Sequence, residues 1–194
     1  MTDRRMDGEI KYTSAMTGRR LITEQILLIV SLSVTGCILI AVESSLPLVL
    51  PFPVLGWQSA SPALGLLFSM AVGFLHSERE GGIAGLIAGF FVDGAMGSGV
   101  FLMPLLFFLC GYLSGVSGRR RLAHNLPSFM VFSVAGGLLY CLFILLREII
   151  LSRTIPSLPW IWQGLIPVWI LTILVSPIPY LLVWGEKKIL RIEQ

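Results

Sequence analysis

The sequence has few charged residues. Only 13% of its 194 residues are Asp, Glu, Lys or Arg, whereas 55% are hydrophobic and the mean hydropathy is +0.85. In a soluble domain about a quarter of the residues are charged. Because so few charges cannot cover a globular surface, the composition argues against an ordinary soluble domain and predicts an integral membrane protein.

Residues that build catalytic and metal sites are also scarce. The chain has two histidines and three cysteines, and no cysteine has a CxxC or metal-spaced neighbour. The HExxH motif of zinc proteases and the GxxxxGK[ST] phosphate-binding loop are both missing. The serine of "MGSG" has no histidine on a later apolar segment that could act as its base. We therefore expect no catalytic residue, metal site or cofactor, and no nucleic-acid partner.

Six apolar segments are candidates for crossing a hydrocarbon core of ~30 Å. They cover about residues 21–44, 61–76, 81–97, 99–116, 126–151 and 163–184. We predict an all-α integral membrane protein with six transmembrane helices in a domain over residues 21–185, between tails at 1–20 and 186–194. Pro177 and Pro179 should kink or break the last helix, because proline removes a backbone hydrogen bond.

The basic residues orient these helices. Twelve of the 14 lysines and arginines would fall on one side of the membrane, and only Arg147 and Arg153 would fall toward the other. Cytoplasmic loops carry the excess of Lys and Arg in membrane proteins. The pattern therefore predicts that both termini are cytoplasmic.

Small residues follow a regular spacing in the third segment. Gly81, Gly85, Gly89, Asp93 and Gly97 are four residues apart and so share one helical face. The small-xxx-small pattern lets helix backbones approach closely in lipid. We expect this face to pack against another helix, and "DGAMGSG" at 93–99 to form the turn of a tight hairpin between the third and fourth segments.

A carboxylate at position 93 requires an explanation, since an unpaired charge inside a membrane costs several kcal/mol. Asp93 could accept hydrogen bonds from free backbone N–H groups at the turn, bind a ligand or partner, or relay a proton or ion. Glu43 and Arg147 could be interfacial charges, or could build an outward-opening polar cavity with Asp93. The candidate residues for a partner contact or cavity are thus Asp93, Gly85, Gly89, Gly97, Glu43 and Arg147.

Several of these residues lie in a stretch, 61–120, that resembles a known family. A proline (Pro62) opens the second segment, a G-xxx-GF-xxx-D hairpin follows (Gly85, Gly89–Phe90, Asp93), and a YL-x-G end (Tyr112–Leu113, Gly115) leads into basic residues (Arg119–Arg121). In these motifs, and in its six-span layout, the chain is similar to the bacterial rod shape-determining protein MreD family.

The resemblance implies a non-catalytic scaffold of the bacterial inner membrane. MreD-like proteins join an MreC-like membrane protein, and indirectly MreB-like filaments, to the peptidoglycan synthases of cell elongation. Their fold resembles the substrate-binding subunits of energy-coupling-factor vitamin transporters, so capture of a small molecule is the alternative. The cluster Arg119, Arg120 and Arg121 could serve orientation alone or could also contact anionic lipid.

Overall fold

The computed structural model describes residues 29–45, 61–96, 102–120, 125–153 and 156–192. Every regular element in these ranges is a helix, which confirms the all-α class for this part of the chain. The helices are α1 (Ile29–Ser45), α2 (Leu64–Leu75), α3 (Glu78–Met96), α4 (Met103–Arg120), α5 (Leu126–Ser152), α6 (Leu158–Trp160), a π-helical turn (Ile161–Leu165), α7 (Ile166–Val175) and α8 (Pro177–Ile192). The predicted tail at 1–20, Gly97 and Arg121 lie outside the described residues.

Two helical stretches are long and apolar enough to cross a membrane. They are α5, with 27 residues, and the 31-residue run Leu158–Lys188, which contains α6, the π-helical turn, α7 and most of α8. Shorter apolar helices lie at Ile29–Ser45, Leu64–Leu75 and Met103–Gly118. With 12 residues, α2 extends only about 18 Å at ~1.5 Å per residue, so α2 by itself is shorter than a bilayer core.

The short helix α2 lies in the interior of the bundle. All of its residues are buried, and it packs against α3, α4, α5, α7 and α8. An apolar surface on all sides is typical of a helix surrounded by protein or lipid. Near its end Phe74 meets Phe129 of α5, with ring centroids 5.9 Å apart, and Phe129 meets Tyr180 of α8 at 5.2 Å.

Glycines bring α3 against α4. The two helices run antiparallel, and a Cβ atom added at Gly85 would lie 2.9 Å from the backbone nitrogen of Phe108. At Gly89 an added Cβ would lie 2.6 Å from the nitrogen of Pro104. These separations leave no room for a side chain, so the glycine face predicted for α3 does pack on a neighbouring helix, which is α4.

The helix containing Pro177 is broken at the predicted place. α7 ends at Val175 and α8 begins at Pro177. Proline has no N–H to donate to the carbonyl of Ile173, and the hydroxyl of Ser176 donates to that oxygen at 2.8 Å instead. α8 then continues to Ile192, so residues predicted as the start of the 186–194 tail are helical.

We predict that Gly85→Ala destabilises the protein. The new methyl group would collide with the backbone of α4, and overpacking of this kind costs ~1–3 kcal/mol. The matched control is Gly94→Ala in the same helix, where an added Cβ meets nothing within 4 Å. Because alanine favours helix over glycine by up to ~1 kcal/mol, the control should be at least as stable as the parent. Thermal unfolding in detergent measures both, and equal midpoints for the two variants would contradict the glycine contact.

Candidate functional site

The carboxylate of Glu43 binds the start of α2. Glu43 belongs to α1, is only 8% exposed, and accepts a hydrogen bond from the backbone N–H of Gly65 at 2.9 Å; the N–H of Leu64 also contacts it. The hydroxyl of Thr172 in α7 accepts from the N–H of Ala63 at 3.1 Å. The first N–H groups of a helix have no partner within the helix, and side chains of α1 and α7 accept those of Gly65 and Ala63 at the start of α2.

Asp93 accepts a backbone N–H group at the start of α4 in the same way. It lies in the last turn of α3, is 4% exposed, and its Oδ2 accepts the backbone N–H of Met103, the first residue of α4, at 3.1 Å. The bond joins the two arms of the hairpin directly. Of the alternatives for Asp93, the contact to free backbone N–H groups is therefore present in the structure. The helix α3 itself extends to Met96, so the first four residues of "DGAMGSG" are helical and not part of the turn.

One buried tyrosine brings the charged candidates together. Tyr140 of α5 is 4% exposed and lies within electrostatic range of Glu43, Asp93 and Arg147. Its ring packs on Phe107 of α4, with centroids 6.0 Å apart. The starts of α2 and α4 thus lie at the same end of the bundle. The positive ends of their helix dipoles favour carboxylates at this position.

The candidate residues therefore fall into three groups. Gly85 and Gly89 form the α3–α4 contact, whereas Glu43, Asp93 and Arg147 each lie within electrostatic range of Tyr140. Gly97 lies outside the described residues. Because Glu43 is buried, it is not the interfacial charge that the sequence allowed as one alternative.

Polar contacts at the opposite end of α2 involve residues that the sequence did not single out. Lys187 of α8 donates a hydrogen bond from Nζ to the carbonyl of Leu75. The hydroxyl of Thr35 in α1 donates to the carboxylate of Glu186. The only sequence signal for these roles is that acidic and basic residues follow directly on an apolar segment, and this signal does not specify a partner.

Among the described residues, apolar grooves open on the surface at two places. The first lies between α1 and α3, over Phe68 and Val72 of α2, and has a volume of about 250 Å³. The second lies between α5 and the stretch from Ile161 to Trp169. Neither groove is lined by Glu43, Asp93 or Arg147. Among the residues that the structure describes, no group of three or more His, Cys, Asp or Glu side chains could hold a metal ion.

Comparison with protein-family models, with curated proteins and with solved structures finds no match to this chain.

We predict that Asp93→Ala lowers the free energy of unfolding by ~0.5–2 kcal/mol, the usual effect of removing a helix-capping acceptor. Asp93→Asn should lose much less, because its amide oxygen can still accept the N–H of Met103. Thermal unfolding of both variants in detergent tests this. If Asn is as damaging as Ala, the negative charge matters and not the cap.

We further predict a local effect of Glu43→Ala at the start of α2. Losing the acceptor of the Gly65 N–H should raise amide hydrogen exchange there about tenfold, since ~1.4 kcal/mol corresponds to tenfold and a cap contributes about that much. Glu43→Gln, which keeps an acceptor oxygen, is the control. Unchanged protection of Leu64 and Gly65 in Glu43→Ala would show that the carboxylate is not their cap.

Proposed function

We propose that the chain is a multi-pass protein of the bacterial inner membrane, with six transmembrane helices and both termini in the cytoplasm. Two membrane-length helices support this placement. So do large apolar side chains that face outward, such as Val131 and Leu174, which are 69% and 70% exposed. Soluble monomers rarely expose large contiguous apolar surfaces, and the one-sided basic residues fit the proposed orientation.

Within that membrane we propose a non-catalytic scaffold of the cell-elongation machinery, as the MreD resemblance implies. The observation that carries this proposal is that both buried carboxylates act as caps of helix starts. Glu43 and Asp93 each accept a backbone N–H at the start of a helix. Acids used in this way fix the geometry of a bundle, and a scaffold needs a fixed geometry more than it needs reactive groups.

The proposed direct partner is an MreC-like membrane protein. MreB-like filaments and peptidoglycan synthases would then be reached indirectly. Arg119 and Arg120 end α4, and together with Arg121 we propose that they contact anionic lipid at the cytoplasmic surface.

The alternative, a substrate-binding subunit of an energy-coupling-factor transporter, is favoured by one observation. Glu43, Asp93 and Arg147 all lie within electrostatic range of the buried Tyr140. Polar groups gathered near one end of an apolar bundle are what a small polar vitamin would require. Glu43 and Asp93 already accept hydrogen bonds from helix starts, and this argues against their binding a vitamin.

Affinity purification tests the scaffold proposal. The tagged chain is extracted with its native lipid, and the proteins that accompany it are identified by mass spectrometry. We expect an MreC-like protein in the parent and equally in Asp93→Asn, because this variant keeps the capping oxygen. A tagged membrane protein of unrelated function controls for nonspecific recovery.

A different set of partners would overturn the proposal. Recovery of transporter ATPases with a transmembrane coupling subunit, and no MreC-like protein, would favour the transport alternative. Vitamin binding by the purified chain that is lost in Asp93→Asn would do the same.

A further inference from the structure

The groove between α1 and α3 has an apolar body. α1 contributes one wall through Leu32, Gly36 and Ile40, and α3 contributes the other through residues such as Ala84 and Ile87. The floor is Phe68 and Val72 of α2. Neither wall carries a charge along this length, so the groove offers only dispersion contacts and shelter from water.

One end of the groove is polar. Within the part of the chain that the structure describes, Glu80 is the only charged residue that lines it, and its side chain is 49% exposed. His76 follows the end of α2, and its Nδ1 lies 3.6 Å from Oε2 of Glu80. The groove thus combines a long apolar body with a carboxylate at one end, which is complementary to an amphiphile with a positively charged head.

The size of the groove discriminates between possible occupants. The groove has a volume of about 250 Å³, which is room for a run of methylene groups, each of about the size of a water molecule. An α-helix with its side chains is ~10–12 Å across, so a helix over the groove would insert only side chains into it. An acyl chain is narrow enough to fill it.

We propose that the groove between α1 and α3 binds one acyl chain of a phospholipid whose ammonium headgroup lies at Glu80. The inference rests on the proposed membrane placement. In the proposed orientation Glu80 is on the cytoplasmic side, so the lipid belongs to the inner leaflet. A resident lipid would fill the space that residues of α1 and α3 line along the groove.

Native mass spectrometry of the full chain tests the site. The protein is extracted in mild detergent and exposed to phosphatidylethanolamine or phosphatidylglycerol. We expect one retained lipid per chain, with phosphatidylethanolamine preferred, and a smaller preference in Glu80→Gln. Retention of no lipid, or equal retention of both lipids in the parent and in Glu80→Gln, overturns the proposal.

A matched pair of variants locates the lipid. Ala84→Phe places a ring in the groove wall, whereas Ala135→Phe makes the same change on an exposed face of α5. Retention should fall at least about tenfold in Ala84→Phe, because losing contact with even two methylenes is sufficient for that change. It should be unchanged in Ala135→Phe. Equal retention by the two variants would place the lipid elsewhere and overturn the assignment.

The unaltered protein provides a second measurement that does not depend on a variant folding. Cys37 is exposed and lines the groove, whereas Cys110 is buried. Removing lipid should raise the rate at which Cys37 reacts with a small maleimide about tenfold, as the chain that covers it departs. An unchanged rate contradicts the proposal, and so does crosslinking of Cys37 to a partner protein in the native membrane.

Failure of this inference can be told apart from failure of the proposed function. A chain found in the membrane fraction that retains no lipid overturns the groove assignment alone. A chain that is not in the membrane fraction overturns the proposed placement and the lipid with it. Lipid retention by the purified chain requires no MreC-like partner, so the partner experiment and this one report independently.

Discussion

Backbone N–H groups at the start of a buried helix need an acceptor, and in this protein two carboxylates supply it. Glu43 reaches from α1 to the start of α2, and Asp93 reaches from α3 to the start of α4. Water cannot satisfy these groups in an apolar interior, and an unmade hydrogen bond there is expensive. Each acid therefore couples two helices that are consecutive in the chain.

The helix α2 shows how far the bundle depends on such contacts. It has no charged side chain of its own, and its ends are bound by other helices: Glu43 and Thr172 at the start, and Lys187 at the carbonyl of Leu75. The hydroxyl of Ser114 adds a bond from α4 to the carbonyl of Met70, at 2.7 Å. Hydrogen bonds from neighbouring helices at both of its ends therefore hold α2 in position within the bundle.

The sequence predicted those features that depend on residues close together in the chain. The glycine spacing in α3 predicted a close helix contact, and the prolines predicted the break after Val175, because each depends on local backbone geometry. The cap at Asp93 was among the alternatives, since the acid precedes the start of α4 by only 10 residues. The second segment was predicted to be short, over 61–76, and α2 is shorter still, at Leu64–Leu75, because a sequence does not mark the exact residue at which a helix begins.

The sequence did not predict which residues far apart in the chain would form hydrogen bonds with one another. The bonds from Glu43 to Gly65 and from Thr172 to Ala63 cross 22 and 109 positions, and composition does not specify which helix end meets which side chain. The sequence likewise does not predict the α1–α3 groove, because most of its residues are ordinary apolar ones distributed over three helices. A gap in packing depends on how three helices are placed relative to one another, and a local sequence pattern does not predict that placement.

The dipoles of α2 and α4 explain why two acids can lie near one buried tyrosine. Both helices begin at this end, so two partial positive charges face Glu43 and Asp93. Arg147 also lies within electrostatic range of Tyr140 and adds a full positive charge to the same region. The fold itself therefore supplies positive groups near both carboxyl side chains. A ligand at this end would have to compete with helix starts for the carboxylate oxygens, whereas the carboxylate of Glu80, in the first turn of α3 at the opposite end, is half exposed and lies 3.6 Å from Nδ1 of His76.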